Sequence, residues 1–312
     1  MEEFYISSSV GDIHCCQWKP QTQPKGIIQI IHGIQEYIAR YEPLGQFFSR
    51  QGYLVVGADL PGHGGSLCGM SEHGYLKGGW MMAVKTVHLL YRHCRTEYPD
   101  VPYVMYGHSM GSFVLTTYLT LKSEDLAAAV LSGTAWKSDA VLAGGKLLCY
   151  TQEKRVGLCS ASAFLQKAMF GGYNKRFEPT TSPYAWVCGS EEIVEEYAAD
   201  PLCTWVPTVG LCSEMLRGIT YNQKRSNLRR IKHDLPIFFL AGQMDPVGDF
   251  GNGVLKAAQA FRDAGLTDVT VELYPNMRHE CHNEAENHRV FADVLTWLEK
   301  VLLANTENCC IL

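Results

Sequence analysis

The chain lacks the marks of several protein classes. It has no excess of positive charge: 27 basic residues stand against 32 acidic ones, for a formal net charge of −5. That gives no basic face of the kind a nucleic-acid partner needs. The one basic cluster, Lys224-Arg225 with Arg229-Arg230 and Lys232, falls on a helix-like stretch and reads as a solvated face. No apolar run is long enough to span a bilayer, and Met1-Glu2-Glu3 puts acid where a secretory leader has base. A cytoplasmic location is expected. The 12 cysteines form no C-x-x-C pair and no zinc spacing, so buried free thiols are expected in place of a disulfide framework or a metal site. The terminal Cys309-Cys310-Ile311-Leu312 has the form of a prenylation box, but Asn305-Thr306-Glu307-Asn308 upstream lacks polybasic character; a chance tail is the better reading.

What is present is ordinary globular material, 46% hydrophobic and 19% charged over 312 residues, enough to bury one large core. Strand-like runs at 12–18, 26–31, 53–58, 101–106, 126–131, 236–241 and 268–274 alternate with helical stretches such as 41–51, 77–97, 112–122 and 286–303. That rhythm predicts a mostly parallel sheet flanked by helices. It fails between Leu131 and Leu235, where amphipathic pieces occur around 138–149, 160–170, 190–197 and 212–228. The expected organisation is one catalytic domain, 1–131 with 234–312, interrupted by a helical cap over 132–233.

The chemistry is carried by Gly107-His108-Ser109-Met110-Gly111, which follows the apolar run Val101 to Tyr106 and precedes a helix-like stretch from Ser112. G-x-S-x-G in a strand-turn-helix setting is a nucleophile elbow: the glycines leave room for a tight turn, and the serine is held strained with Oγ exposed. A serine hydroxyl needs a histidine base and a carboxylate to orient it. Asp245 sits just past the apolar run Leu235 to Gly242, and His279 follows the last strand-like run, Asp268 to Tyr274. Order and loop position give a triad of Ser109, Asp245 and His279. Asp249, four residues on, is the rival acid, less favoured because it lies farther from the strand end. The oxyanion of a tetrahedral intermediate needs two backbone donors, from the residue after the nucleophile and from the loop after an early strand. Met110 and Ile34 fit those places, with His32 bracing the loop. The run His279-Glu280-Cys281-His282 is not a metalloprotease signature, since its histidines are three apart. Metal catalysis is not expected.

The segments Ile31-His32-Gly33-Ile34-Gln35-Glu36-Tyr37 with Arg40-Tyr41, Asp59-Leu60-Pro61-Gly62-His63-Gly64-Gly65-Ser66, Gly107 to Gly111, Asp245 and His279 resemble the monoacylglycerol lipase and lysophospholipase branch of the α/β-hydrolases, also described as serine aminopeptidase-like. The resemblance is collinear from about residue 10 to residue 300, with Ser112 standing where the lipase pattern has a third glycine. It implies an α/β-hydrolase fold and ester hydrolysis through an acyl-enzyme, without metal or organic cofactor, on small lipophilic esters such as monoacylglycerols or lysophospholipids. Apolar and aromatic residues of the cap, Phe164, Phe170 and Trp205 foremost, are candidates to line an acyl tunnel, and the cap could touch a membrane surface transiently. An amidase or aminopeptidase would want an acidic pocket, for which Glu191, Glu192, Glu195 and Glu196 are candidates. A non-catalytic binding protein on a hydrolase scaffold is the third reading, disfavoured because all three triad members are present. No feature of the chain speaks to an oligomeric state.

Overall fold

The computed structural model describes residues 1–66 and 73–309, with side chains through Ala304. Cys68 and the side chains of the Cys309-Cys310-Ile311-Leu312 tail lie outside the described residues. Eight strands form one sheet in the order β1-β2-β4-β3-β5-β6-β7-β8. They are β1 (Glu2–Ser8), β2 (Gly11–Trp18), β3 (Gly26–Ile31), β4 (Tyr53–Ala58), β5 (Tyr103–His108), β6 (Ala128–Ser132), β7 (Ile237–Gly242) and β8 (Val269–Tyr274). Strands β1 and β2 run antiparallel and the rest of the sheet is parallel. This is the α/β-hydrolase arrangement expected from the alternating pattern. Strand β1 is an addition to that expectation. Its residues are alternately exposed and half-buried and it pairs only with β2, so Glu2-Glu3 and Ser7-Ser8 give it the polar look of an edge.

The inner strands β3 to β7 are buried on both faces, which is why they read as unbroken apolar runs. In β3, Ile27 and Ile31 enter one core while Ile28 and Ile30 enter the other, as the two-residue period of a strand requires. Helices α2 (Trp80–Glu97), α3 (Met110–Leu119) and α9 (Asn252–Ala264) cover the first face. Helices α1 (Glu42–Arg50) and α10 (Asn287–Cys309) cover the second. After β3 the chain crosses to β4, and after β5 it crosses the other way to β6, so neighbouring β3 and β5 form the switch point of the sheet. Ligands bind beyond the carboxyl ends of strands at such a point.

Between β6 and β7 the described chain makes α4 (Asp139–Val156), α5 (Ala163–Phe170), α6 (Glu191–Ala199), α7 (Val209–Asn222) and α8 (Arg225–Leu228), with one isolated bridge, Ala161 to Thr208. The periodic stretch expected over 212–228 is thus two helices, broken at Gln223-Lys224. Ser138, Ser162 and Thr208 cap α4, α5 and α7 by accepting from backbone N–H groups three residues on. Among the described residues no helix is long and apolar enough to cross a membrane.

Candidate active site

Ser109 stands between β5 and α3 with φ 52° and ψ −121°, a left-handed backbone angle that a side-chain-bearing residue adopts only when its surroundings enforce it. Both flanking glycines are sterically required. A Cβ on Gly111 would run into the Ile31 carbonyl of β3, and one on Gly107 into the Gly111 carbonyl. Ser109 is further tied to β6 by donation from its N–H to the Ser132 carbonyl at 2.9 Å. Ser112 is buried, and its hydroxyl donates to the Ser109 carbonyl at 2.6 Å, adding a bond within the elbow.

His279 and Asp245 come from the loops after β8 and β7. His279 Nδ1 lies 2.9 Å from Asp245 Oδ2, and both side chains are buried. Asp245 Oδ1 accepts from the Val247 N–H at 2.8 Å, which fixes the carboxylate's second oxygen. Burial by itself would lower the His279 imidazole, but the charge and hydrogen bond of Asp245 more than offset it and hold the pKa above the usual value. Asp249, four residues on, is exposed. Met110 opens α3, where a backbone N–H has no partner inside the helix. With Ile34 it lines the same cavity as Ser109 and His279.

The loop after β3 is braced by histidine and glutamate. Buried His32 accepts from the Leu60 N–H through Nε2 at 2.9 Å, so Nδ1 carries the proton and donates to the Gly33 carbonyl at 2.7 Å. Glu36 Oε1 accepts from the Gly33 N–H and, at 3.0 Å, from Tyr41 Oη. Arg40 clasps Glu280 through two bonds of 2.7 and 2.8 Å and lies 3.6 Å from Glu36 Oε2. Burial drives the Glu36 carboxyl up, to about 7, with the Glu280 charge adding to it. For Glu280 burial acts upward too, but the direct clasp of Arg40 outweighs it and holds the carboxyl near 2. Glu36 and Glu280 both border the cavity. The sequence reading assigned neither a role, although Glu36, Arg40 and Tyr41 share one loop and Glu280 adjoins His279.

The cavity holds about 530 Å³ and continues from the serine between α3, α4, α5 and α7 along mostly apolar side chains, among them Leu142, Leu165, Met169, Phe170, Met215 and Leu216. Phe170 stacks on Trp186 at 5.8 Å, and Trp186 lies 5.3 Å from the His279 ring. Two expected tunnel residues are corrected. Phe164 is 53% exposed and absent from the cavity wall. It lies about 100° round α5 from buried Leu165, a turn that takes it to solvent. Trp205 is a fastener instead: its carbonyl accepts from Gln35 Nε2, its indole N–H donates to the Leu202 carbonyl at 2.8 Å, and its ring packs on His63 at 5.1 Å. Tyr197 Oη donates to the Gln35 carbonyl at 2.9 Å and Tyr37 Oη to Asp200 at 2.8 Å, so the inserted segment is bolted to the loop after β3. Of the four glutamates of α6, none lines this cavity.

The model of the family described as serine aminopeptidase, S33, matches residues 22–286. The chain belongs to that family of hydrolases. This hydrolase is 25% identical over 289 residues to a monoacylglycerol lipase of Mycolicibacterium smegmatis, covering 90% of each chain. It is 26% identical over 93% of its own length to an abhydrolase domain-containing protein of Dictyostelium discoideum, of which it spans 28%. Among solved structures it superposes on a thermostable carboxyl esterase from Bacillus coagulans, in complex with glycerol, with a TM-score of 0.87 at 25% identity, covering 96% of this chain and 98% of that one.

Proposed function

We propose that this hydrolase cleaves carboxylic esters with a lipophilic acyl chain, monoacylglycerols or lysophospholipids being the fitting classes, through an acyl-enzyme on Ser109. The observation that carries the reading is one cavity shared by a strained serine, a carboxylate-paired histidine and a long apolar wall. In this mechanism His279 takes the Ser109 proton as Oγ attacks the carbonyl, then gives it to the leaving alcohol. Asp245 fixes the imidazole tautomer and stabilises the imidazolium. The Ile34 and Met110 N–H groups receive the oxyanion. Water then repeats the sequence on the acyl-enzyme, with His279 again as base.

Residues 132–233 act as a cap whose underside binds the acyl chain; each buried methylene contributes about 0.8 kcal/mol. Exposed Val141, Leu147 and Tyr150 on α4, with Lys146 and Lys154 among them, suit brief contact with a membrane surface where such substrates reside. The free thiols at the nine described cysteines support work in the reducing cytoplasm. An amine-recognising peptidase is less well supported, because the carboxylates beside the serine are engaged by Arg40 and Tyr41. The test pairs a fluorophosphonate probe with esters of two to sixteen acyl carbons and amino-acid amides. Ser109→Ala is expected to abolish labelling and cut turnover on the order of a million-fold with the fold intact. Substantial residual turnover in pure variant, or amides preferred over long esters, sinks the proposal.

A further inference from the structure

At the far edge of the sheet from the serine, β1 and β2 bring together three side chains with no metal-binding spacing in sequence. Strand register sets Glu3 directly across from Cys16, and His14 lies two residues along β2 on the same face. His14 Nε2 is 3.5 Å from Glu3 Oε2, and one ligand atom each of Glu3, His14 and Cys16 fall within 4.8 Å of one another. The other ring nitrogen, His14 Nδ1, lies 2.8 Å from Asp59 Oδ2. Asp59 is itself fixed, accepting from the backbone N–H groups of Ile38 and Gly65 at 2.7 Å each.

We propose that Glu3, His14 and Cys16 form a structural site for a thiophilic divalent cation, zinc by its chemistry. Zinc bonds of about 2.0–2.3 Å put tetrahedral ligand atoms about 3.3–3.6 Å apart. The His14–Glu3 separation already matches this, and the cysteine sulfur needs to close by at most about 1.5 Å from the 4.8 Å limit. The Asp59 carboxylate performs the outer-shell duty typical of ligating histidines: it keeps the proton on Nδ1 and leaves the Nε2 lone pair for the metal. A thiolate in the set selects zinc over magnesium or calcium. Cys16 and His14 are buried whereas Glu3 is exposed, so the cation enters past Glu3 and the fourth position faces solvent. On binding, the Cys16 S–H proton passes to solvent and a Zn–S bond replaces it; any proton on His14 Nε2 leaves in the same way. Affinity therefore rises with pH. The ion would add a further tie between β1 and β2, beside their backbone pairing and the stack of Phe4 on His93 of α2 at 5.1 Å. Four strand spacings of about 4.8 Å separate β1 from β5, so the chemistry at Ser109 is untouched.

The experiment titrates chelator-treated full-length protein with Co²⁺, then Zn²⁺. Wild type is expected to develop a thiolate-to-cobalt charge-transfer band that saturates at one equivalent, to lose it on adding zinc, and to melt at higher temperature with zinc bound. Cys16→Ser is expected to lose the band. Glu3→Gln, an exposed change with little bearing on folding, is expected to weaken binding at least tenfold. Short-ester turnover is expected to stay within twofold for metal-free wild type, zinc-loaded wild type and Glu3→Gln. The absence of a band at one equivalent overturns the proposal. So does a band that survives Cys16→Ser, or an affinity unmoved by Glu3→Gln.

Discussion

Helices α3 and α4 border the same cavity and are built in opposite ways. All ten residues of α3 are buried, whereas of the eighteen in α4 only Leu142 and Cys149 are. Helix α3 carries Met110 and abuts the serine, wedged between the sheet and α7, with Thr117 and the Phe113 carbonyl both bonded to Asn222 at 2.8 Å. Helix α4 lies over the apolar end of the cavity with Leu147 and Tyr150 facing out and Val141, itself exposed, at the cavity rim. Close packing holds α3 in place, which suits the proposed role of the Met110 N–H in meeting a developing charge. Helix α4 packs along α7 but buries only two side chains, so under the proposed function it is the wall whose adjustment to different acyl chains would cost least. The proposed function would thus divide positional precision and substrate tolerance between neighbours along one cavity.

The comparison can be broken most forcefully on the rigid side. Asp245→Asn is expected to cut turnover about ten-thousand-fold by presenting the wrong imidazole tautomer, while exposed Asp249→Asn has little effect. The pH profile sharpens this. His279 must be neutral to accept the serine proton, and its pKa is raised by Asp245, so wild-type activity should be lost as pH falls through a midpoint above 6.5. In Asp245→Asn the largest opposition to burial is gone, leaving only the more distant Glu280 and Glu36 charges, and the midpoint of the residual activity should move down. A reverse ranking of the two aspartates, or an unmoved midpoint, would count against the assignment.

Arg40→Met should come next, leaving Glu280 buried and unpaired at a cost of about 3–5 kcal/mol in denaturant unfolding. Adding Glu280→Gln should restore much of that loss. A smaller contrast separates two aromatics of the inserted segment. Phe170→Ala is expected to shorten the preferred acyl chain while acetate esters are turned over nearly as before. Trp205→Ala, by loosening the loop after β3, should lower turnover on all chain lengths alike. A panel of two- to sixteen-carbon esters decides it, and equal behaviour of the two variants removes the distinction. Phe164→Ser is expected to have the smallest effect, within about 0.5 kcal/mol in stability, with weaker binding to lipid vesicles as its only clear consequence.

Much of this was legible in the chain because it depends on local sequence. The elbow's glycines, the unbroken apolar runs of β3 to β7 and the loops carrying Asp245 and His279 each follow from a few consecutive residues, and strand alternation then dictates the α/β fold. The bracing role of His32 was likewise readable from its place beside Gly33. What depends on distant segments was not. Phe164 and Trp205 have the same aromatic, apolar character as Phe170, and only the packing of α5 and the contact of Trp205 with Gln35 and His63 direct them away from the cavity. Nothing local assigned a role to Glu36, Arg40 or Glu280, which two loops, 240 residues apart, bury against one another. Glu3, His14 and Cys16 become neighbours through the register of β1 on β2. Sequence specifies the local turn and the hydrophobic period; which charges share a buried site, and which rings share a wall, is decided when the tertiary fold removes them from water together.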